Sequence, residues 1–580
     1  MTAPNTATLW GETIADELAA AGVDAVCVAP GSRSTPLTMA VAAHEEIRVY
    51  SHLDERSAAY FALGRAKRTG RPTPLVCTSG TAAANFHPAV MEADEARVPM
   101  LLLTADRPPE LHDSGANQTA DQTKLYGDSV RSFRSLPEPE ADARKLRSLR
   151  TTVARAVATA TGTPPGPVHL NVPLRKPLEP TPVEGSIPED VADRAPEAVE
   201  GRDGPFVSVD SGAPAPPEPA VTDVVAALDA ADRPLVVCGP ADAPTPGTDS
   251  LVALADATDA PVLADPLSGH RFGPVDACGG YDAYLDGRVT ERWPDPDAVV
   301  RFGASPTSKP LRRYLARTGA RQFLVDPAGG WREAEFRATD LVTADESAFA
   351  RAVAERVDSA GVSAWRERFR EAERTHWRLA ADADPAMEGS LLAAVADRTP
   401  DPATVFVSNS MPVRDLDRFG APRDADVRVF GNRGVSGIDG ITSTALGAGS
   451  ATADPLVLVT GDLAYYHDMN GLLALGRCDV DATIVLVNND GGGIFHMLPV
   501  EEFDPPFTEQ FRTPHGLDFD PTADLYDLDF ERVAPADFPT RFEAVVGDGT
   551  TVLEVETDAE ASHRAREALQ DRLVDALADE

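Results

Sequence analysis

Lysine is nearly absent from this chain of 580 residues: only five of its 53 basic side chains are Lys, and the others are Arg. Acidic side chains number 92, so the formal net charge is -39 at pH 7. Such a charge disfavours nucleic acid and anionic membrane surfaces as partners. An acidic excess with so little Lys is what we expect of a halophilic protein, because a very salty cytoplasm screens its self-repulsion.

Cysteine is also scarce, and long apolar runs are missing. The five cysteines are scattered without CxxC spacing, which argues against a zinc site and against a disulfide framework. No apolar run approaches the length of a membrane span, and the first residues lack the basic and apolar regions of a secretory signal. We therefore expect a cytoplasmic protein.

The length indicates several domains, since a single core rarely serves more than about 250–300 residues. Alternating strand and helix patterns predict three doubly wound α/β domains with mainly parallel sheets. We place an N-terminal domain at 1–180, a central domain at 221–350 and a C-terminal domain at 385–580. A Pro- and Gly-rich linker at 181–220 and a helical connector at 351–384 join them.

Two predicted strands of the C-terminal domain are followed by possible metal ligands. The apolar run 456–459 stops just before Asp462, and the run 483–487 stops just before an Asn-Asn pair and three glycines. Because parallel strands end at one edge of a sheet, these residues face one crevice. The Asp462 carboxylate, the Asn489 amide oxygen and the Gly491 carbonyl form an all-oxygen set that suits Mg²⁺. The alternative is an ordinary Gly-rich turn with Asp462 as a helix N-cap.

This spacing resembles the diphosphate motif of thiamine-diphosphate (ThDP) enzymes, in which a Gly-Asp-Gly turn is followed about 27 residues later by Asn-Asn. Asn489 lies 27 positions after Asp462, but Leu463 replaces the last glycine of the turn. GDL together with NN-x-GG-x-IF resembles one branch, the 2-succinyl-5-enolpyruvyl-6-hydroxy-3-cyclohexene-1-carboxylate (SEPHCHC) synthase family of menaquinone biosynthesis. The resemblance implies that cofactor contacts come from Glu55, Gly437, Ile438, Gly461, Asp462, Leu463, Ala464, Asn489, Gly491, Gly492 and Ile494.

Other segments resemble the same family, namely PGSRSTPLT, HLDERSAAYFALGRAK, TADRPPELHDSGANQT and GNRGVSGIDG. The resemblance implies that Glu55 hydrogen-bonds the aminopyrimidine ring of ThDP and so promotes cofactor activation. It also implies that Ile438 wedges the cofactor into a bent shape. The sequence pattern alone favours Glu55 as a dipole or cap partner in a first helical turn, and Ile438 can equally plug a Gly-rich turn.

Arginines at predicted strand ends indicate a local anion site in an otherwise acidic chain. They are Arg33, Arg107, Arg414 and Arg433. The resemblance implies two dicarboxylate substrates, 2-oxoglutarate and isochorismate. It implies ThDP- and Mg²⁺-dependent decarboxylation of the first and addition of the resulting succinyl carbanion to the second. The substrate contacts that it implies are Ser32, Arg33, Arg107, Asn117, Gln118 (also catalytic), Lys309, Ser410, Arg414, Arg433 and Phe495.

One basic pair of the family is only partly present here. Lys309 is followed by Pro310, so the second cation is missing or is supplied by Arg312 or Arg313. The resemblance also implies Mg²⁺ or Mn²⁺ as the metal, and a homodimer or homotetramer whose active sites are shared between subunits.

Two other functions stay open from the sequence. One is another ThDP-dependent decarboxylase or carboligase that acts on a monocarboxylic 2-oxoacid, for which we expect fewer arginines. The other is a non-catalytic nucleotide-binding α/β protein, which has no use for Glu55.

We predict that the protein needs molar salt to fold and act. Salt shortens the Debye length from about 10 Å at 0.1 M to about 3 Å at 1 M, which relieves repulsion over the whole acidic surface. Contacts between arginines and a substrate carboxylate act at short range and are screened less. The thermal unfolding midpoint and the activity should both rise from low to molar KCl. A midpoint that falls steadily as KCl increases contradicts this expectation.

Overall fold

The computed structural model describes residues 3–358 and 363–578. Within them lie three sheets of six strands each, and every pair of neighbouring strands is parallel. The described residues form two compact units. The first runs to Ser211 and also contains Asn432–Ala453 and Asp468–Val480, and the second contains Gly212–Gly431, Asp454–His467 and the chain from Asp481 onward.

The first sheet belongs to the first unit. Its elements are α1 (Thr6–Ala20), β1 (Ala25–Ala29), α2 (Thr35–Ala43), β2 (Arg48–Ser51), α3 (Glu55–Thr69), β3 (Leu75–Cys77), α4 (Thr81–Ala84), α5 (His87–Ala96), β4 (Met100–Asp106), β5 (Ser132–Ser135), α6 (Ala143–Ala160) and β6 (Pro167–Pro173). The strand order is β2-β1-β3-β4-β6-β5. Strands β1, β4 and β6 are buried along their whole length, as expected for central parallel strands.

The segment predicted as a linker is not wholly extended. It contains two short helices, α7 (Val191–Arg194) and α8 (Pro196–Glu200). Ala198 of α8 is buried in the first core, and its carbonyl accepts a hydrogen bond from Arg150 Nε at 3.1 Å. The small apolar residues among the prolines therefore pack against α6.

The second sheet lies in the second unit. Its elements are α9 (Glu218–Asp229), β7 (Pro234–Cys238), α10 (Thr248–Thr258), β8 (Val262–Ala264), β9 (Ala277–Cys278), α11 (Tyr281–Tyr284), α12 (Gly287–Thr290), β10 (Ala298–Phe302), α13 (Lys309–Arg317), β11 (Arg321–Val325), β12 (Asp340–Val342) and α14 (Glu346–Ala354). The strand order is β12-β11-β10-β7-β8-β9. The predicted helical connector is present as α15 (Ala364–Ala381).

The third sheet also lies in the second unit and has the order β14-β13-β15-β16-β18-β17. The elements of this part of the chain are α16 (Glu388–Arg398), β13 (Ala403–Val407), α17 (Met411–Phe419), β14 (Val427–Phe430), α18 (Ile441–Gly449), β15 (Leu456–Gly461), α19 (Asp462–His467), α20 (Ala474–Cys478), β16 (Thr483–Asn488), α21 (Thr522–Tyr526), β17 (Asp529–Arg532), α22 (Phe538–Val545), β18 (Thr551–Glu556) and α23 (Ala559–Ala578). Of these, α18 and α20 belong to the first unit.

The register of the third sheet aligns the ends of its central strands. Gly461, the last residue of β15, pairs with Val487 near the end of β16. On the other side of β15, Val459 pairs with Val407, the last residue of β13. The loops that follow these three strands therefore leave the sheet at the same edge, where open α/β sheets bind ligands.

In the first unit, α3 and α18 cross with their backbones in contact. A Cβ atom added at Gly64 would lie 1.8 Å from the Thr444 carbonyl oxygen, and one added at Gly447 would lie 2.0 Å from the Phe61 carbonyl oxygen. Only glycine permits this approach at both positions. Because α3 begins at Glu55, the crossing fixes the position of that acid within its unit.

Among the described residues, no helix combines the length and the apolar character needed to cross a membrane.

We predict that Gly64→Ala lowers the free energy of unfolding by about 1–3 kcal/mol, the usual range for overpacking. The matched control is Gly476→Ala in α20, an exposed helical position of the same unit where an added Cβ meets nothing within 4 Å. There the substitution should raise stability, by roughly 0.5–1 kcal/mol. Chemical denaturation at fixed KCl measures both changes. Equal effects of the two substitutions would show that the helices do not need the close crossing.

Candidate functional site

The predicted metal ligands meet at the edge where β15 and β16 end. The Gly491 N–H donates a hydrogen bond to Asp462 Oδ2 at 2.9 Å, and the Leu463 N–H donates one to Oδ1 at 2.6 Å. Asp462 is buried, with 2% of its surface exposed. Burial raises the pKa of this carboxyl, and the hydrogen bonds from Gly491 and Leu463 oppose that rise. The carboxylate is thus held at the junction of two loops that are far apart in sequence.

The two ends of the Asn489 side-chain amide differ in their hydrogen bonding. Its Nδ2 donates a hydrogen bond to Glu388 Oε1 at 2.8 Å. Its Oδ1 is buried and has no hydrogen-bond partner within the ranges that the structure describes. A buried acceptor without a partner costs about 1–3 kcal/mol, so this oxygen indicates a ligand that completes the site. A hard cation such as Mg²⁺ is a suitable ligand for an amide oxygen beside a carboxylate.

Two glycines shape the surface around this edge. Gly491 has a φ of +141°, and an added Cβ would lie 2.0 Å from the Arg512 carbonyl oxygen. That same carbonyl accepts a hydrogen bond from the Gly492 N–H at 2.7 Å. At Gly461, in contrast, an added Cβ meets no described atom within 4 Å. The end of β15 therefore borders open space, which leaves room for a diphosphate close to the backbone.

His515 was not predicted from the sequence, yet it contacts the same carboxylate. Its Nε2 lies 3.2 Å from Asp462 Oδ2, and its Nδ1 accepts a hydrogen bond from the Leu517 N–H at 3.0 Å. Asp490 Oδ1 accepts hydrogen bonds from the His515 and Gly516 N–H groups and so closes the turn. No local pattern relates this histidine to Asp462.

Glu388 is a second residue that sequence reasoning missed. It is the first residue of α16 and is buried, with 3% of its surface exposed. Besides Asn489 Nδ2, its Oε1 accepts a hydrogen bond from Thr557 Oγ1 at 3.1 Å. Burial raises the pKa of Glu388, and the hydrogen bonds from Asn489 and Thr557 oppose that rise.

The other predicted residues of the second unit lie on several elements that follow its strands. Ser410 precedes α17 with a φ of +70°, a strained conformation for a residue other than glycine. Its carbonyl accepts a hydrogen bond from Arg414 Nη1 at 2.5 Å. Phe495 packs on Phe511 with ring centroids 5.5 Å apart. The remaining positions are Ala464 in α19, Ile494 in the 3-10 turn after Gly492, and the exposed Lys309 at the start of α13.

In the first unit, the structure brings two predicted arginines together at the ends of β1 and β4. Arg33 is buried, and its Nη1 donates a hydrogen bond to the Leu174 carbonyl at 2.7 Å. Arg107 Nη2 donates one to the Asn117 carbonyl at 2.6 Å. Burial lowers the pKa of Arg33, and the nearby Arg107 charge lowers it further. The Asp106 carboxylate opposes this lowering, so the pair already has one anionic neighbour, and a further anion would offset more of its charge.

Gln118 directly follows Asn117, whose carbonyl binds Arg107, and the exposed Ser32 directly precedes Arg33. Gln118 has a φ of +54° and exchanges hydrogen bonds with Ser79: its Nε2 donates to the Ser79 carbonyl at 3.2 Å, and Ser79 Oγ donates to the Gln118 carbonyl at 2.9 Å. Glu55 opens α3, is half-buried, and follows Asp54, whose side chain caps the helix.

The loop with Arg433, Gly437 and Ile438 also belongs to the first unit, where Glu92 holds it. The Gly434 and Val435 N–H groups each donate a hydrogen bond to one Glu92 carboxylate oxygen, both at 2.7 Å. Glu92 was not predicted either, because its partners lie 342 and 343 residues away.

Two family models match this chain. The model for the N-terminal TPP binding domain of thiamine pyrophosphate enzymes matches residues 10–125, and the model for the C-terminal TPP binding domain matches residues 427–555. Relatives named 2-succinyl-5-enolpyruvyl-6-hydroxy-3-cyclohexene-1-carboxylate synthase match along the whole length. One, from Haloarcula marismortui, is 63% identical over 592 residues and the match covers 100% of both chains; another, from Halobacterium salinarum, is 63% identical over 584 residues with 99% of both covered.

The chain belongs to the SEPHCHC synthase family.

Membership of the SEPHCHC synthase family confirms the predicted recognition and makes the chain a ThDP-dependent enzyme. A non-catalytic nucleotide-binding protein, left open above, is incompatible with it. The predicted fold class is confirmed by the three parallel sheets. It also agrees with the crystal structure of benzoylformate decarboxylase from Polynucleobacter necessarius, which superposes with a TM-score of 0.72 over 97% of this chain and 99% of that one. At 17% identity, that likeness concerns the fold alone.

The residues present fit the cofactor that SEPHCHC synthases share with other thiamine pyrophosphate enzymes. Asp462 and Asn489 offer a carboxylate and an unsatisfied amide oxygen that suit a cation, and an added Cβ at Gly461 meets no described atom within 4 Å. Within the part of the chain that the structure describes, no group of three or more His, Cys, Asp or Glu side chains could hold a metal ion. The candidate site instead uses one carboxylate, one amide and one backbone carbonyl.

Proposed function

We propose that this chain is a SEPHCHC synthase of menaquinone biosynthesis that decarboxylates 2-oxoglutarate and joins the remaining succinyl group to isochorismate, with release of CO2. When bound, ThDP supplies the carbanion that makes the decarboxylation and the carbon–carbon bond formation feasible. The observation that carries the proposal is the buried Asn489 oxygen, left without a partner in the described chain beside the Asp462 carboxylate. The names of the two relatives support the product.

Asp462, Asn489 and Gly491 are proposed to hold Mg²⁺, with Mn²⁺ as a possible substitute. All three offer oxygen, which hard divalent cations prefer, and Mg²⁺ commonly completes its shell with substrate phosphates. Gly437, Ile438, Gly461, Leu463, Ala464, Gly492 and Ile494 are proposed to line the cofactor. Glu55 is proposed to share a proton with its aminopyrimidine ring, since a carboxyl at the start of a rigid helix can be aimed at one ring atom.

The arginine pair of the first unit is proposed to bind a substrate carboxylate. Arg33 and Arg107 are each anchored by a backbone carbonyl, so their orientation is set before any substrate arrives. Arg107 Nε is buried and has no hydrogen-bond partner among the described residues. A planar guanidinium with an unused N–H is suited to bidentate carboxylate binding. Ser32, Asn117, Gln118, Lys309, Ser410, Arg414, Arg433 and Phe495 are proposed as further substrate contacts.

The test is a reaction of the purified chain with ThDP, Mg²⁺, 2-oxoglutarate and isochorismate in molar KCl, analysed by mass spectrometry. We expect the adduct of succinyl and isochorismate masses with loss of CO2. The Asp462→Ala variant should form none at modest Mg²⁺, because it removes the only formal charge among the metal ligands. Turnover of pyruvate or benzoylformate without turnover of 2-oxoglutarate would favour the alternative carboligase and contradict the proposal.

We also propose that the active site is shared between subunits of a homodimer or homotetramer. Glu55→Gln removes the proposed proton donor, and Asp462→Ala removes the metal ligand, so each variant alone should be nearly inactive. After subunit exchange, mixed oligomers should regain activity, because one of their two sites combines an intact Glu55 with an intact Asp462. Labelled subunits verify the exchange. Exchange without recovered activity contradicts a shared site.

A further inference from the structure

Two consecutive asparagines at the end of β16 make the same kind of hydrogen bond but differ at their oxygens. Asn488 Nδ2 donates to Glu554 Oε1 at 2.8 Å, and Asn489 Nδ2 donates to Glu388 Oε1, also at 2.8 Å. Asn488 Oδ1 accepts a hydrogen bond from the Asp490 N–H at 3.1 Å. Asn489 Oδ1 is buried with no such partner in the described chain. The first pair is therefore complete in itself, and the second presents an acceptor to something else.

Glu388 determines which end of the Asn489 amide is presented. The two ends of an amide have nearly the same shape, but a carboxylate offers acceptors, so it pairs with the NH2 end and repels the oxygen. With Nδ2 bound to Glu388, Oδ1 must lie on the opposite side of the amide group. A metal needs that oxygen and cannot use the NH2 group, so a reversed amide would block the site.

The carboxylate of Glu388 is itself held in place. The Glu388 N–H donates to Ser562 Oγ at 3.0 Å, and its side chain also accepts from Thr557 Oγ1. These partners follow β18, whereas Glu388 opens α16. Three segments of the second unit therefore meet behind the amide and leave the acid little freedom to move.

We propose that Glu388 is a positioning residue for the divalent metal: it orients Asn489 so that the amide oxygen serves as a ligand, and it places a carboxylate behind that ligand. The inference rests on the proposed metal site of Asp462, Asn489 and Gly491. Partners of this kind typically change metal affinity by about 10–100-fold when they are removed.

The first experiment measures Mn²⁺ binding to the chelator-treated full chain in the presence of ThDP, with electron paramagnetic resonance to count free Mn²⁺. Glu388→Ala should weaken Mn²⁺ binding by about 10–100-fold. Glu554→Ala is the matched control, because it removes the same hydrogen bond from the neighbouring asparagine. It should lower the thermal midpoint, as Glu388→Ala also does, but leave the Mn²⁺ affinity within about twofold of wild type, a change too small for a lost metal-site partner.

A double-mutant cycle tests whether Glu388 orients the Asn489 amide or only stabilises the folded chain. In the wild-type background, Glu388→Gln should weaken Mn²⁺ binding. The glutamine has an NH2 group as well as an oxygen, so it no longer selects the NH2 end of the Asn489 amide. Asn489→Asp sets two carboxylates against each other and provides the second background for the same substitution. Adding Glu388→Gln to Asn489→Asp should then strengthen binding, because the glutamine NH2 can donate to the new carboxylate. A residue that only supports the fold does not reverse the sign of its effect.

The outcomes distinguish this inference from the proposed function. Wild-type Mn²⁺ affinity in Glu388→Ala, or a Glu388→Gln effect of the same sign in both backgrounds, would overturn the role of Glu388 alone. Failure of the wild-type chain to bind Mn²⁺ with ThDP, or unchanged binding in Asp462→Ala, would overturn the metal site itself and with it this inference. Three results together support it: weaker Mn²⁺ binding in Glu388→Ala, unchanged Mn²⁺ binding in Glu554→Ala, and a Glu388→Gln effect whose sign reverses between the two backgrounds.

Discussion

The hydrogen bond from the Gly491 N–H to the Asp462 carboxylate joins the two loops on which the proposed chemistry depends. It spans the ends of β15 and β16, which the register between Gly461 and Val487 already places side by side. The resulting edge is costly in the protein alone, since it buries the Asp462 carboxylate and leaves the Asn489 amide oxygen without a partner among the described residues. A cation that binds there offsets those costs and stabilises the folded state, by about 2.7 kcal/mol when its concentration is 100 times Kd.

The net charge of the whole chain and the local charge of its arginine pair have opposite signs. The chain as a whole carries a net charge of -39, yet Arg33 and Arg107 are fixed close together by backbone carbonyls. Long-range repulsion among surface acids is weakened by salt, whereas contacts inside a partly desolvated pocket are weakened much less. An anion site and an acidic surface are therefore compatible in concentrated salt. A salt-requiring habitat is consistent with the organisms of the two relatives.

The central strands could be predicted from the sequence because they are continuous apolar runs that end in turn residues. Strands β15 and β16 begin where the apolar runs predict and extend only slightly beyond their predicted ends. The edge strands β5 and β17 have the polar sequences SFRS and DFER and gave no such signal. Strand β18 is buried but carries Glu554, a charge that Asn488 and Arg532 satisfy only in the folded state.

Candidate ligands could be recognised from the sequence where they follow strands in a characteristic spacing, as at Asp462 and Asn489, and their role as ligands stays a prediction. The residues that support those ligands were not, because each is distant in sequence. His515 lies 53 residues from Asp462, and Glu388 lies 101 residues from Asn489. An isolated Glu at the start of α16 has the sequence pattern of a helix-dipole partner. Only the folded chain shows that its carboxylate meets an amide whose oxygen has no other described partner.

The metal site is tested most directly by anomalous diffraction from crystals of the full chain grown with ThDP and Mn²⁺. One strong peak should lie within coordination distance of the Asp462 carboxylate, Asn489 Oδ1 and the Gly491 carbonyl oxygen, with Asn489 Nδ2 still on Glu388. A Mn²⁺ peak at another place, or at this edge with Asn489 directed away from it, would contradict the account.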